Sequence, residues 1–466
     1  MPIVPELAFA SIRTLGERLR KGEFTSLELT EFFLARLEKL GPQLNAVCTV
    51  TRKLALKQAE QADRDLAAGK DRGPLHGIPY GAKDLLATVG IPTSWGAAPL
   101  KEQMFDEDAT AIVRLREAGA ILCAKLAMVE IAGGLGYDQA NASFTGPGLN
   151  PWDTSTWSGG SSSGPGSAVG GGLVPFAIGS ETWGSIMTPA SYCGITGLRP
   201  TYGRVSRHGA MALSWTMDKL GPMGRTAEDC GLVLAAIAGH DPADPSSAQQ
   251  AYEYPSPREL RRPFRLATIK HGIQGAQPEV KENFRQSLEV FSKHATFEEI
   301  ELPDLPYGTV AATFIYAEMA AAFEGLVSTG DVWEMTAPED RIGGHAPQFI
   351  LAKDYINAQR IRPFIQRALD EILSRFDAIV TPTLATVASP NDRPFNEYGA
   401  RFHVDTLGGP GNAAGIPALS VPNGFGERNL PTGLQFVGRA FEENRLLALG
   451  RFYQEATNWH EKHPAM

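Results

Sequence analysis

Cysteine is scarce in this chain, and positive charge is nowhere concentrated. The four cysteines among 466 residues, Cys48, Cys123, Cys193 and Cys230, stand far apart with no Cys-x-x-Cys spacing. That excludes a zinc ribbon and a redox pair, and they read as small buried hydrophobes of a reducing compartment. Lysine and arginine number 43 against 52 aspartates and glutamates, a net charge of −9, and no long basic cluster occurs. Nucleic acid is therefore not an expected partner. Long apolar runs are missing too: stretches such as LVPFAIG are far too short to span a bilayer, so no membrane partner is expected. The N-terminal stretch MPIVPELAFASIRTLGERLR lacks the basic and apolar regions of a secretory signal, and a cytoplasmic location is the expectation. The histidines show no metal-ligand spacing, so neither metal nor cofactor is expected.

What is present is an ordinary globular composition, 43% hydrophobic and 20% charged, which excludes wholesale disorder. In FTSLELTEFFLARLEKLG, Thr25 and Glu28 have capping-box spacing, and Leu29, Phe33, Leu37 and Leu40 form an apolar stripe that predicts a helix stopped by Gly41. Ala55, Ala59, Ala62 and Leu66 repeat the pattern, with Gly69 as the stop. In GPLHGIPYGAKDLL the period changes: Ile78, Tyr80 and Ala82 alternate as a strand does. AILCAKL, FRLATI, DAIVTP, ALSVP and GLQFVG also read as strands, separated by segments long enough for helices. The pattern predicts an α/β fold with helices on both faces of a central sheet. No boundary splits the chain, so residues 1–466 are expected to form one domain, with 1–70 a helical segment packed on it and 75–205 holding the chemistry. The proline-rich segment Gly239 to Pro263 is the expected exposed connection.

The densest glycine and serine lie between Ser158 and Ser185, in SGGSSSGPGSAVGGGLVPFAIGSETWGS. Ser158 to Gly166 alone would suit a flexible linker. The apolar Ala168, Val169, Leu173, Val174, Phe176, Ala177 and Ile178 that follow must be buried, and a buried backbone has to be ordered. A phosphate loop needs a lysine after its glycines, and none is there. Gly160 to Gly164 matches Gly-x-Ser-x-Gly, which would make Ser162 the nucleophile of a hydrolase elbow, with histidines such as His403 downstream. The remaining reading uses two serines on either side of the buried segment, Ser161 and Ser185. His76, between Pro74 and Pro79, reads as structural.

From Gly159 to Ser206 the chain resembles the defining region of the amidase signature family, and GPLHGIPYGAKDLL resembles that family's upstream lysine motif. The resemblance extends from the N-terminal helices through the NPW segment at Asn150 to Trp152, LGPMGRTAEDC and DAIVTPT to LPTGLQFVGRAF. It implies a single large domain with a mixed central sheet and a Ser-cisSer-Lys triad in which Ser185 is the nucleophile, Ser161 the bridging serine on a cis peptide, and Lys83 the base. It further implies an oxyanion hole from the backbone N–H groups of Thr182, Trp183, Gly184 and Ser185. The chemistry is coherent: a serine needs a base to become a nucleophile, and burial brings a lysine toward the neutral form that can act as one.

Ser163 and Pro165 depart from the usual small residues, and beside the nucleophile the family commonly has glycine where Trp183 stands and arginine where Met187 stands. Loss of the arginine suggests that no anionic substrate group is clamped there. The expectation is a serine hydrolase of small neutral amides, anilides or carbamates, with esterase or urethanase side activity, working as a monomer or homodimer on a small-molecule substrate. The alternative is a glutamine-hydrolysing amidotransferase A-type subunit that supplies ammonia to a partner. Trp183, Met187, Met128 and Tyr137 are the expected substrate-binding residues, and the segment around Met128 to Tyr137 and the region near Phe314 to Phe323 are the expected pocket loops.

Overall fold

The capping box forms as the spacing predicts. In the computed structural model, which describes residues 3–255, 263–404 and 406–466, the Thr25 hydroxyl accepts from the Glu28 N–H and the Glu28 carboxylate accepts from the Thr25 N–H. The helix Ser26–Leu44 runs on past Gly41, however, and ends at Asn45 in the left-handed region at φ 50°. Gly41 is small for another reason: a Cβ there would lie 2.8 Å from a Val47 methyl, so the glycine lets the next strand approach. The second helix, Arg52–Ala67, stops at a Gly69 with φ 73° as expected.

The described residues form one sheet of eleven strands: β1 (Val47–Val50), β2 (Pro79–Lys83), β3 (Ile121–Leu126), β4 (Ala177–Glu181), β5 (Thr196–Arg199), β6 (Lys219–Gly224), β7 (Phe264–Ile269), β8 (Ala295–Ile300), β9 (Ala378–Pro382), β10 (Ala418–Phe425) and β11 (Pro431–Val437). Their spatial order is β1-β3-β2-β4-β6-β5-β10-β11-β9-β7-β8. The sheet is mixed: β2 runs parallel to β3 and β4, and β7 parallel to β8 and β9, while the remaining pairs are antiparallel. Side chains alternate between two cores. Leu122, Leu434 and Phe436 enter one, and Ile121, Cys123 and Val437 the other. The central strands are buried along their whole length, as a sheet covered on both faces requires. One edge strand, β8, carries exposed Glu298 and Glu299, charges that discourage pairing with another chain.

Strand β6 has no strand-like composition, reading Lys-Leu-Gly-Pro-Met-Gly. It forms because β4 and β5 flank it, and Gly221 is required there: a Cβ would strike the Leu198 carbonyl. Of the expected exposed connection from Gly239 to Pro263, residues 256–262 lie outside the described residues. No helix among the described residues is long and apolar enough to cross a membrane.

The parallel pairing of β2 with β4 decides where chemistry can occur. Their C-terminal ends lie at the same edge of the sheet, so Lys83, the last residue of β2, and the loop that follows Glu181 emerge side by side.

Candidate active site

Lys83 is fully buried, and its Nζ meets three hydroxyls: Ser161 Oγ at 2.7 Å, Ser180 Oγ at 2.9 Å and Ser162 Oγ at 3.1 Å. Burial lowers its pKa to about 7, against a partial pull upward from the Asp218 and Glu181 charges. Asp84, the neighbour in sequence, does not pair with it. Adjacent residues of an extended chain point to opposite faces, and Asp84 meets Lys125 at 3.1 Å instead.

The Gly/Ser segment is ordered and buried, unlike a flexible linker. Ser158 to Gly170 is buried throughout, and the helix Ser163–Gly170 follows the cis peptide Gly160–Ser161. Gly164 is needed where this helix crosses the end of β3, because a Cβ would meet the Ala127 backbone and the Ala46 carbonyl. Ser162 Oγ accepts from Lys83 and from the Ser180 N–H and donates to the Ser180 carbonyl, so this fully buried hydroxyl latches the loop to β4. His403, the elbow scheme's distant histidine, is exposed. His76 lies at the N-terminal approach to β2, away from Lys83, with its Nδ1 accepting the Arg72 N–H.

Ser161 and Ser185 are 1% and 8% exposed. Their segments are joined by the Ser162 N–H, which donates to the Ser185 carbonyl at 3.3 Å; among the hydrogen bonds of the described residues, none links the two side-chain hydroxyls. The loop from Thr182 to Ser185 turns through Gly184 at φ 85°. Among the described residues, no acceptor is recorded for the N–H groups of Thr182, Trp183, Gly184 and Ser185.

Glu181, which the motif reading passed over, holds this loop from below. One carboxylate oxygen accepts the Ile186 and Met187 N–H groups at 2.9 and 3.1 Å, and the other accepts Arg199 at 2.9 Å and Asn412 at 3.2 Å. Burial pushes its carboxyl up, but Arg199, Lys219 and the Ile186 N–H outweigh that and hold it at about 2. Asp218 plays the same part from the other side, accepting the Thr182 hydroxyl at 2.5 Å and the N–H groups of Leu213 and Ser214. A cavity of about 240 Å³ lies against Ser180, Thr182 and Asp218, with Ala132, Leu213 and Trp215 in its wall.

The expected substrate-binding residues separate. Trp183 is 41% exposed, its indole resting on Gly408 and Gly409, where any Cβ would collide with it or crowd it. Tyr137 leans over the serine loop, its hydroxyl 3.1 Å from where a Cβ of Gly160 would stand, and packs edge-on to Trp157. Met128 and Met187 are buried and pack in the hydrophobic cores, as do Phe314 and Phe323. Among the described residues no group of three or more His, Cys, Asp or Glu side chains is placed to hold a metal ion.

The family described as Amidase matches residues 28–447. The A-type subunit of glutamyl-tRNA(Gln) amidotransferase from Roseiflexus sp. (strain RS-1) is 37% identical over 490 residues, covering 100% of this chain and 99% of that protein. The solved native peptide amidase from Stenotrophomonas maltophilia is 30% identical with a TM-score of 0.82, covering 96% of this chain and 97% of the other. The solved A-type subunit of glutamyl-tRNA(Gln) amidotransferase from Thermotoga maritima is 26% identical with a TM-score of 0.81, covering 100% and 99%. These relatives overturn the expectation of a monomer or homodimer acting by itself on a small molecule. Several proteins similar to this chain from end to end are subunits named for a tRNA-linked amidotransferase.

Proposed function

The chain belongs to the amidase family, the amidase signature enzymes acting on carbon–nitrogen bonds, and on that footing we propose that it hydrolyses a carboxamide through an acyl-enzyme on Ser185. The observation that carries the reading is the buried Lys83 amine, 2.7 Å from Ser161 Oγ and without a carboxylate among its hydrogen-bond partners. In its neutral form this amine takes the Ser161 proton while Ser161 takes that of Ser185, since a hydroxyl both donates and accepts. The last link, Ser185 to Ser161, closes as substrate seats; such bonds are often loose in an empty site. Ser185 Oγ attacks the carbonyl carbon, and the oxyanion gathers the N–H groups of the Thr182 to Ser185 loop, each removed donor costing about 10²- to 10³-fold in rate. The ammonium of Lys83 then returns its proton through Ser161 to the leaving nitrogen. The C–N bond breaks, the amine or ammonia departs, and water entering by the same relay releases the acid and restores Ser185.

For the substrate we assign a primary carboxamide of the glutamine type, with ammonia as the leaving group and a partner protein as its recipient. The amidotransferase relatives support this. A second reading is favoured by one observation. The exposed Trp183 indole beside the nucleophile offers apolar surface to an aryl or alkyl amide or a carbamate.

The test measures ammonia release from glutamine against hydrolysis of a neutral aryl amide, together with mass-spectrometric mapping of a fluorophosphonate adduct. A tenfold or greater preference for glutamine in kcat/KM supports the first substrate, and the reverse preference supports the second. An adduct on Ser162 with Ser185 unmodified would overturn the acyl-enzyme assignment.

A further inference from the structure

Lys219 stands on β6 directly across from Glu181 of β4. A lysine inside a strand buried along its whole length is costly unless its amine has defined partners. Its side chain is 2% exposed, and Nζ donates to the carbonyl of Met217 and lies 3.4 Å from the carbonyl of Thr182. The neighbouring carboxylates are taken: Glu181 by Arg199, Asn412 and two loop N–H groups, Asp218 by the Thr182 hydroxyl and the N–H groups of Leu213 and Ser214. Toward the site, then, this amine addresses a peptide oxygen.

The Thr182 carbonyl and the Trp183 N–H belong to one conjugated, planar peptide unit. A cation held against the oxygen draws electron density through the amide and makes the N–H at its other end a stronger donor, more so in a poorly screened interior. That N–H is one of the loop donors for which no acceptor is recorded among the described residues. We propose that Lys219 is a positioning residue for the oxyanion hole: its ammonium holds and polarises the Thr182–Trp183 peptide so that the Trp183 N–H stabilises the tetrahedral oxyanion. The inference rests on the reading of Ser185 as the nucleophile.

The charges facing Lys219 are Glu181 on β4, Arg199 on β5, Asp218 on the adjoining residue and Arg362 on the helix Ala352–Leu373. Burial and Arg199 lower its pKa to about 7, while Glu181 and Asp218 draw it back up. Two buried lysines are thus needed in opposite states, Lys83 neutral and Lys219 charged. The kcat/KM of the wild type should rise with pH as Lys83 loses its proton and fall as Lys219 loses its own, with a maximum near neutrality.

The experiment compares wild type with Lys219→Met, Lys219→Gln and Lys219→Arg on whichever amide the wild type hydrolyses, each with a thermal melt and fluorophosphonate labelling of Ser185. Lys219→Met and Lys219→Gln are expected to lose about 10- to 100-fold in kcat with KM changed less than about threefold. Both should lose the alkaline fall of the pH profile while keeping the acid limb. Lys219→Arg, which keeps the charge, should recover most of the rate. Lys219→Gln keeps a donor for the carbonyls without the charge, and stands in if the methionine variant does not fold. A glutamine variant with wild-type kcat and an unchanged alkaline limb would overturn the proposal, as would equal loss in the arginine and glutamine variants at lowered melting temperature. If the wild type labels nowhere at Ser185, the functional reading fails and this one with it. A labelled, active wild type beside an unaffected glutamine variant overturns this one alone.

Discussion

Lys83 and Lys125 occupy neighbouring parallel strands, are both buried, and differ in almost nothing except what lies within reach of the amine. Lys125 is registered with Ala82, so its side chain takes the opposite face from Lys83. There it finds the Asp84 carboxylate at 3.1 Å and the Thr93 hydroxyl at 2.6 Å. Lys83 finds only hydroxyls. Burial lowers the pKa of both, and at Lys125 the Asp84 charge works against it. The difference teaches where a buried amine becomes a base: on the face from which the carboxylate is turned away. One step along an extended chain puts the acid on the structural side of the sheet and leaves the amine on the other.

The largest effect that bears on this contrast is loss of turnover. Ser185→Ala and Lys83→Met should each lower kcat by about 10⁴-fold or more, with the fold intact by circular dichroism. Lys125→Met should do the reverse. Removing one partner of a buried pair leaves the Asp84 carboxylate without its cation and held by the Ser94 N–H and hydroxyl, so urea denaturation should show a loss of about 3–5 kcal/mol while the folded fraction keeps kcat within about tenfold. A Lys125→Met variant that folds normally but cannot turn over would break the contrast.

A smaller effect lies in the pH dependence. Because Lys83 must be neutral to accept a proton, kcat/KM should fall roughly tenfold per unit below about pH 7, and Lys125→Met should leave that midpoint in place. Stability moves in the same direction. The folded value lies below the ordinary 10.5, so between about 7 and 10.5 the unfolded chain holds a proton that the folded chain does not. Stability therefore rises with pH across that window, and Lys83→Met should flatten part of the rise in denaturation curves at pH 7 and pH 10.

Much of this was legible in the residues themselves. Alternation marked β2, short apolar runs marked β3, β7, β9, β10 and β11, and the capping box at Thr25 placed the first long helix, because these signals are local. The lysine and serine motifs pointed to the side chains that converge, Lys83 with Ser161, although which face Asp84 takes depends on the strand. What stayed hidden is non-local. Strand β6 contradicts its own composition and exists because its neighbours frame it. Glu181 meets Arg199 and Asn412, and Asp218 meets the Thr182 hydroxyl, only because the fold brings these residues together from distant parts of the chain. The direction of the Trp183 indole is set by Gly408 and Gly409 from the far end of the chain. A lone signal for the Glu181 clamp did exist: an acid within a buried strand requires a partner, and Arg199 is buried as well.

The smallest prediction separates hydroxyls from carboxylates as neighbours of an amine. A hydroxyl that accepts from an ammonium favours the charged form, so removing one should lower the pKa further. Ser180 gives one such contact to Lys83, and its side chain also borders the cavity beside Thr182. Ser180→Ala should therefore move the acid midpoint of kcat/KM down by about half a unit to one unit, leaving more activity at pH 6 and little change at pH 8. Thr93→Val makes the matching change at Lys125, where the Asp84 carboxylate remains in place, and should leave the pH profile untouched. An upward shift in the Ser180 variant would mean that the hydroxyl donates to a neutral amine rather than accepting from a charged one, and the assignment of Lys83 as the base would then have to be made with the opposite resting state.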